Sequence, residues 1–150
     1  YDYIDHLIWL KKISTIYPNL KVGFKHHPNN KSNFEYNFFK DTNVKMIDQK
    51  LNSYNIGINS KVICSFQSTM IIEMISLGKV AFFLDPNKRN NQFLGDLGNS
   101  DDLRIKNFKK FEKDIHSIFF KKNFKKIDGT KYCLRSDKFS QKLFKILNKY

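Results

Sequence analysis

The chain has 150 residues, enough for one domain with a full hydrophobic core. A hydrophobic fraction of 41% with 15 Phe and 7 Tyr excludes a disordered tail, and no apolar run reaches the roughly 20 residues of a membrane-spanning helix. The net charge of +13 is explained either by a lysine-rich solvated surface or by an anionic partner such as a nucleotide, a polysaccharide or a membrane face.

Hydrophobic periodicity predicts alternating helices and strands along the chain. In the first half we expect a helix over Tyr1–Tyr17, a strand over Leu20–His26, a short aromatic helix over Phe34–Phe39, a strand over Val44–Ile47 and a weak helix over Leu51–Ile58. In the second half we expect an edge strand over Leu103–Ile105, a helix capped by Asn107 and a last helix capped by Ser136 or Asp137.

The stretch from Lys61 to Pro86 organises the chain. It predicts a buried strand over Lys61–Phe66, a helix that starts after Ser68-Thr69 and stops at Gly78, and a second strand over Val80–Leu84. So compact a strand–helix–strand unit implies parallel pairing. The predicted fold class is therefore α/β, a Rossmann-like three-layer sandwich with a small parallel sheet. Because Cys64 lies in a buried strand and the chain has only two cysteines, we expect a reduced, cytosolic setting.

Polar residues gather where the Lys61–Phe66 strand ends, at the edge where open α/β sheets bind ligands. Ser68 and Thr69 begin the helix, so they are either plain N-caps, worth about 1 kcal/mol, or donors to a phosphate. Glu73 either accepts hydrogen bonds from a ribose or is simply exposed to solvent.

A second polar cluster, Lys25-His26-His27-Pro28, closes the strand Leu20–His26 at the same predicted edge. A histidine there can donate to a phosphate or a leaving-group oxygen, and lysine adds positive charge. Either histidine could equally be a capping or surface residue. The chain has no GxGxxG or Walker A motif, and its dispersed lysines and core-forming aromatics argue against nucleic acid as a partner.

Together the segments KVGFKHHP and CSFQSTMIIEMISLGKVAFFLDP resemble the C-terminal half of GT-B glycosyltransferases. The likeness is to bacterial surface-polysaccharide enzymes of the polysialyltransferase, Kdo-transferase and CDP-glycerol glycerophosphotransferase type. The resemblance implies His27 as the catalytic histidine of the HP motif, with Ser68, Thr69 and Glu73 as donor contacts. The substrate-binding prediction also includes Lys25, His26, Ser65 and Gln67, and either Asn91 or Gln92 as a sugar contact.

What the resemblance implies is a donor-binding domain for a nucleotide-activated sugar, with a CMP or CDP donor favoured. It also implies that the N-terminal acceptor domain is missing, so that these residues alone are inactive. No cofactor or metal is expected, since the nucleotide-sugar is the substrate and the protein supplies the positive charge. The expected partners are a polysaccharide or glycolipid acceptor, the missing domain and an anionic membrane surface, with the protein in the cytoplasm or peripheral at the inner face of the membrane.

Two alternatives remain from the sequence. One is an enzyme similar to UDP-N-acetylglucosamine 2-epimerases, which needs no acceptor. The other is a non-catalytic basic module that binds an anionic polymer or a membrane with a steep salt dependence.

Overall fold

The computed structural model describes residues 2–27, 33–66, 68–88, 103–124 and 127. The predicted Gln67, Asn91 and Gln92 contacts and the helix after Asp137 lie outside these residues. The elements alternate as predicted: α1 Asp2–Ile16, β1 Val22–Lys25, α2 Phe34–Phe39, β2 Val44–Ile47, α3 Ser53–Asn59, β3 Val62–Ser65, α4 Met70–Ser76, β4 Val80–Leu84, β5 Arg104–Ile105 and α5 Phe108–His116, which continues as a π-helical turn over Ser117–Lys121.

All strand pairs of the described residues are parallel. One sheet pairs β1 with β2, and a second has the order β3-β4-β5. The strand–helix–strand unit predicted for residues 61–86 is confirmed by the pairing of β3 with β4, in which Val62 lies opposite Val80. Parallel strands end at one edge of their sheet, which we call the C-terminal edge, and begin at the other, the N-terminal edge.

The larger sheet is covered on both faces. Along β4, Phe82 and Leu84 pack in one cluster with Trp9 of α1 and Phe111 of α5. The alternate residues of β4 pack on the opposite face, in a second cluster with Ile71 and the rest of the apolar side of α4. This period-two alternation places helices on each side of the strands, and it confirms a Rossmann-like α/β fold with small parallel sheets.

Helix α4 ends as the sequence predicts. Gly78 adopts a left-handed backbone conformation with φ of +76°. Its amide donates to the carbonyl of Ile75 at 2.9 Å, and the amide of Lys79 donates to that of Met74, also at 2.9 Å. These two bonds form a Schellman motif, which turns the chain from α4 into β4.

Candidate functional site

Side chains from the first turns of α1 connect the C-terminal edges of the two sheets. The hydroxyl of Tyr3 donates to Glu35 of α2, and the other carboxylate oxygen of Glu35 lies 3.7 Å from Nδ1 of His26, directly after β1. One turn along α1, the ring of His6 lies 4.5 Å from that of Phe66, directly after β3. The two polar clusters predicted from the sequence therefore lie at edges that meet the same short segment of α1.

α1 also reaches the end of β4. Nε2 of His6 donates to the carbonyl oxygen of Leu84 at 2.6 Å. Beyond β4, Asp85 forms a buried ion pair at 3.5 Å with Arg104 of β5. Tyr3 and His6 of α1 thus link the ends of β1, β3 and β4 through Glu35, Phe66 and the Leu84 carbonyl.

The two adjacent histidines have opposite environments. His26 is 2% exposed, and its ring lies 5.3 Å from that of Phe24 and 5.4 Å from that of Tyr36. His27, the predicted catalytic residue, is exposed. His26 is therefore placed to hold the end of β1, while His27 is the histidine presented at the surface.

Positive charge accompanies His27 at this edge. Lys25 is half-buried, and its Nζ donates to the carbonyl oxygen of Gln49, after β2, at 3.0 Å. This contact holds the ammonium group beside the end of β1. Two of the three donors of a lysine ammonium group remain for other acceptors.

The hydroxyl groups at the end of β3 and directly after it differ in their roles. Ser65 ends the strand and is half-buried. The Ser68 hydroxyl accepts a hydrogen bond of 3.3 Å from the amide of Met70 and so caps the first turn of α4. Thr69, the residue directly before α4, has helical backbone angles, and its side chain makes no capping hydrogen bond.

Glu73 has a partner that the sequence did not indicate. It lies in the first turn of α4 and accepts a hydrogen bond from the hydroxyl of Tyr54, in the first turn of α3. This hydrogen bond, with a smaller contribution from burial, raises the pKa of Tyr54 above its usual value. The tyrosine therefore stays a donor, and it fixes the carboxylate of Glu73 near the C-terminal edge.

Four residues of this site were missed by the sequence analysis: Tyr3, His6, Glu35 and Tyr54. Tyr3 and His6 are three positions apart, so they share a face of α1, and this spacing was the available signal. Burial and the adjacent Glu35 carboxylate raise the pKa of Tyr3. The sequence carries little signal for Glu35 and Tyr54, because each contacts a residue of another helix or strand.

Within the described ranges, no cluster of three His, Cys, Asp or Glu side chains is arranged to hold a metal ion. Nor does any helix in this part of the chain have the length and apolar character to cross a bilayer.

The model of a protein family described as "putative O-antigen biosynthesis protein" matches residues 11–96, more than half of the 150-residue chain. The chain belongs to this family. The match runs from the middle of α1 past β4 and includes every predicted site residue from Lys25 to Glu73, as well as Asn91 and Gln92. Membership of an O-antigen biosynthesis family indicates a role in surface polysaccharide synthesis. Comparison with curated proteins and with solved structures gives no match.

Proposed function

We propose that this chain binds the nucleotide-sugar donor of a GT-B glycosyltransferase that builds a surface polysaccharide. The supporting observation is the joining of the ends of β1 and β3 by Tyr3 and His6 of α1. It brings two polar clusters from distant parts of the sequence to the C-terminal edge, where α/β sheets bind nucleotides. The O-antigen family supplies the biosynthetic context.

In this proposal the donor phosphates lie between the two clusters. From the β1 side, Lys25 supplies positive charge and His27 supplies a ring N–H donor. From the β3 side, Ser68 can donate its hydroxyl hydrogen, because the hydroxyl only accepts from the Met70 amide. Thr69 is exposed and its hydroxyl makes no cap bond, so it is a further donor. His26 acts as a positioning residue, packed between rings behind His27.

The ribose is assigned to Glu73. A carboxylate accepts hydrogen bonds from two neighbouring hydroxyls, which is the pattern a ribose offers. The hydroxyl of Tyr54 holds this carboxylate in place. Tyr54 is 43% exposed, and we assign its ring to stacking against the nucleobase.

Transfer would occur by direct displacement. An acceptor hydroxyl oxygen forms a bond to the activated sugar carbon while the bond from that carbon to the phosphate oxygen breaks. The electron pair leaves with the nucleotide phosphate, and His27 and the serine hydroxyl stabilise its developing charge. The proton of the acceptor goes to a base on the acceptor side, which we assign to a second domain. A nucleotide-sugar substrate and the partly buried Cys64 thiol favour a cytoplasmic location.

Calorimetry with CMP, CDP and UDP tests the proposal. We expect one of them to bind, and His27→Ala or Ser68→Ala to weaken binding by about tenfold or more, as for the loss of a hydrogen bond to a charged group. Ser60→Ala is the matched control: its hydroxyl donates to the Ile56 carbonyl at 2.7 Å before β3, at the opposite edge of the sheet. The proposal fails if the folded chain binds none of the three nucleotides.

A second arm tests the ribose assignment. Tyr54→Phe removes the hydrogen bond to Glu73 and keeps the ring. We expect weaker binding of the nucleotide and unchanged binding of inorganic pyrophosphate, which has no ribose. Equal weakening for both ligands would contradict the role given to Glu73.

A further inference from the structure

The N-terminal edge of the larger sheet has a cavity of about 470 Å³. It lies where β3 and β4 begin and where the π-helical turn after α5 ends. Three lysines line it together with apolar side chains: Lys61, Lys79, Lys122, Val80, Ile118 and Phe124. This cavity is at the opposite edge from the proposed donor site.

Among the residues that the structure describes, no acidic side chain lines this cavity. Nζ of Lys61 lies 4.4 Å from the centre of the Phe119 ring, which fixes the ammonium group at the surface. Neither Lys79 nor Lys122 has an ion pair with any residue that the structure describes. Three positive charges therefore lie close together without compensation from these residues.

Two large exposed apolar side chains are close in sequence to residues that line the cavity. Leu77, directly before Gly78 of the cavity lining, is 53% exposed. Phe120, two residues after Ile118, is also 53% exposed, and its ring lies 5.3 Å from that of Tyr17 at the end of α1. We call Lys61, Lys79, Lys122, Leu77 and Phe120 together the lysine surface.

We infer that the lysine surface binds an anionic phospholipid bilayer. Lysines attract acidic headgroups, and exposed leucine and phenylalanine gain by entering the interface between headgroups and acyl chains. A soluble anion would use the lysines but would leave Leu77 in water. The high positive charge of the chain, +13, adds long-range attraction to the same membrane. This inference does not depend on the proposed donor site.

Sedimentation with vesicles of phosphatidylcholine, with and without phosphatidylglycerol, tests the inference. We expect binding only to the vesicles with phosphatidylglycerol. The triple variant Lys61→Gln, Lys79→Gln, Lys122→Gln should bind about 100-fold more weakly, or about fivefold per lysine. The double variant Lys79→Gln, Lys122→Gln keeps the contact of Lys61 with Phe119, so its fold should be unaffected even if the triple variant misfolds. Its affinity for the vesicles should fall about 25-fold.

The matched control is the triple variant Lys45→Gln, Lys50→Gln, Lys109→Gln. It removes the same charge from exposed lysines on β2, after β2 and on α5. We expect it to weaken binding by less than about tenfold, through long-range attraction alone. Equal losses in the two triple variants would overturn the inference, since net charge alone would then explain binding.

Further measurements distinguish a lipid bilayer from a soluble anion as the ligand of the lysine surface. We expect Leu77→Gln to weaken vesicle binding in high salt, where the lysines are screened and the apolar contribution dominates. The absence of binding to phosphatidylglycerol vesicles by the folded wild-type chain, or tighter binding to soluble heparin than to the vesicles, would overturn the assignment to a membrane.

Discussion

Replacing each of the adjacent histidines by alanine should separate folding from function. His26 is 2% exposed, packed against the rings of Phe24 and Tyr36 and beside the Glu35 carboxylate. His27, the next residue, is exposed. We therefore expect His26→Ala to destabilise the protein strongly, and His27→Ala to leave its stability nearly unchanged but to weaken nucleotide binding.

The structure gives the size of the difference. His26→Ala removes two aromatic contacts, each worth about 1 kcal/mol. It also leaves the buried Glu35 with one polar contact fewer, at a cost of about 1 to 3 kcal/mol. The expected loss in the free energy of unfolding is about 3 to 5 kcal/mol, or about 10 °C in the melting temperature of a domain of this size. For the exposed His27 we expect a change within about 0.5 kcal/mol.

Urea unfolding followed by far-ultraviolet circular dichroism measures both variants, and calorimetry measures nucleotide binding by the folded His27→Ala chain. Each substitution is the control for the other, since both remove one imidazole from neighbouring positions. The reasoning is refuted if His27→Ala lowers stability as much as His26→Ala does. It is equally refuted if His26→Ala unfolds at the same urea concentration as the wild type.

Three further predictions concern stability and are measured by the same urea unfolding. Ser68→Ala should cost about 1 kcal/mol through loss of the cap, and Thr69→Ala less than about 0.5 kcal/mol; equal costs would contradict the assignment of the cap. Gly78→Ala should cost about 1 kcal/mol because φ is +76°, a backbone conformation that strains alanine. An added Cβ would meet nothing within 4 Å, so the cost comes from the backbone alone, and an unchanged stability would contradict it. Burial raises the pKa of the Cys64 thiol above its ordinary value of 9.0, so above pH 9.0 the folded chain keeps a proton that the unfolded chain loses. The free energy of unfolding should therefore carry no cost from Cys64 below pH 9.0 and should fall by up to about 1.4 kcal/mol per pH unit above pH 9.0. Cys64→Ala should remove this part of the slope between pH 9.0 and the tyrosine value of 10.0, and an unchanged slope would refute it.

Strand positions could be predicted closely where apolar runs end in turn residues. The bounds predicted for β2 and β4, Val44–Ile47 and Val80–Leu84, are those observed. The β1 strand is shorter at each end than predicted, because its length is set by pairing with the four residues of β2. Helix α3 starts later than predicted, since the side chain of Asn52 caps it by accepting from the amide of Tyr54 at 2.8 Å.

The side chains of the site were less predictable than its position. The sequence placed both histidines at the end of a strand, but which one is buried depends on Glu35 and Tyr36 of α2, eight or more residues further along the chain. Likewise, the sequence left Glu73 as either a ligand contact or an exposed acid. Its contact with Tyr54 follows from the packing of α3 against α4, which periodicity alone does not determine.

The parallel topology separates the two proposed binding surfaces. Strands β3 and β4 begin near the lysine surface and end near the donor site, so the two surfaces lie at opposite edges of the sheet. The buried carboxylates of Glu35 and Asp85 are at the C-terminal edge, whereas the described residues that line the cavity at the N-terminal edge include three lysines and no acid. A bilayer at the lysine surface would therefore leave the donor site open to solvent. It follows that vesicles and nucleotide should bind at the same time, and that His27→Ala should not change vesicle binding.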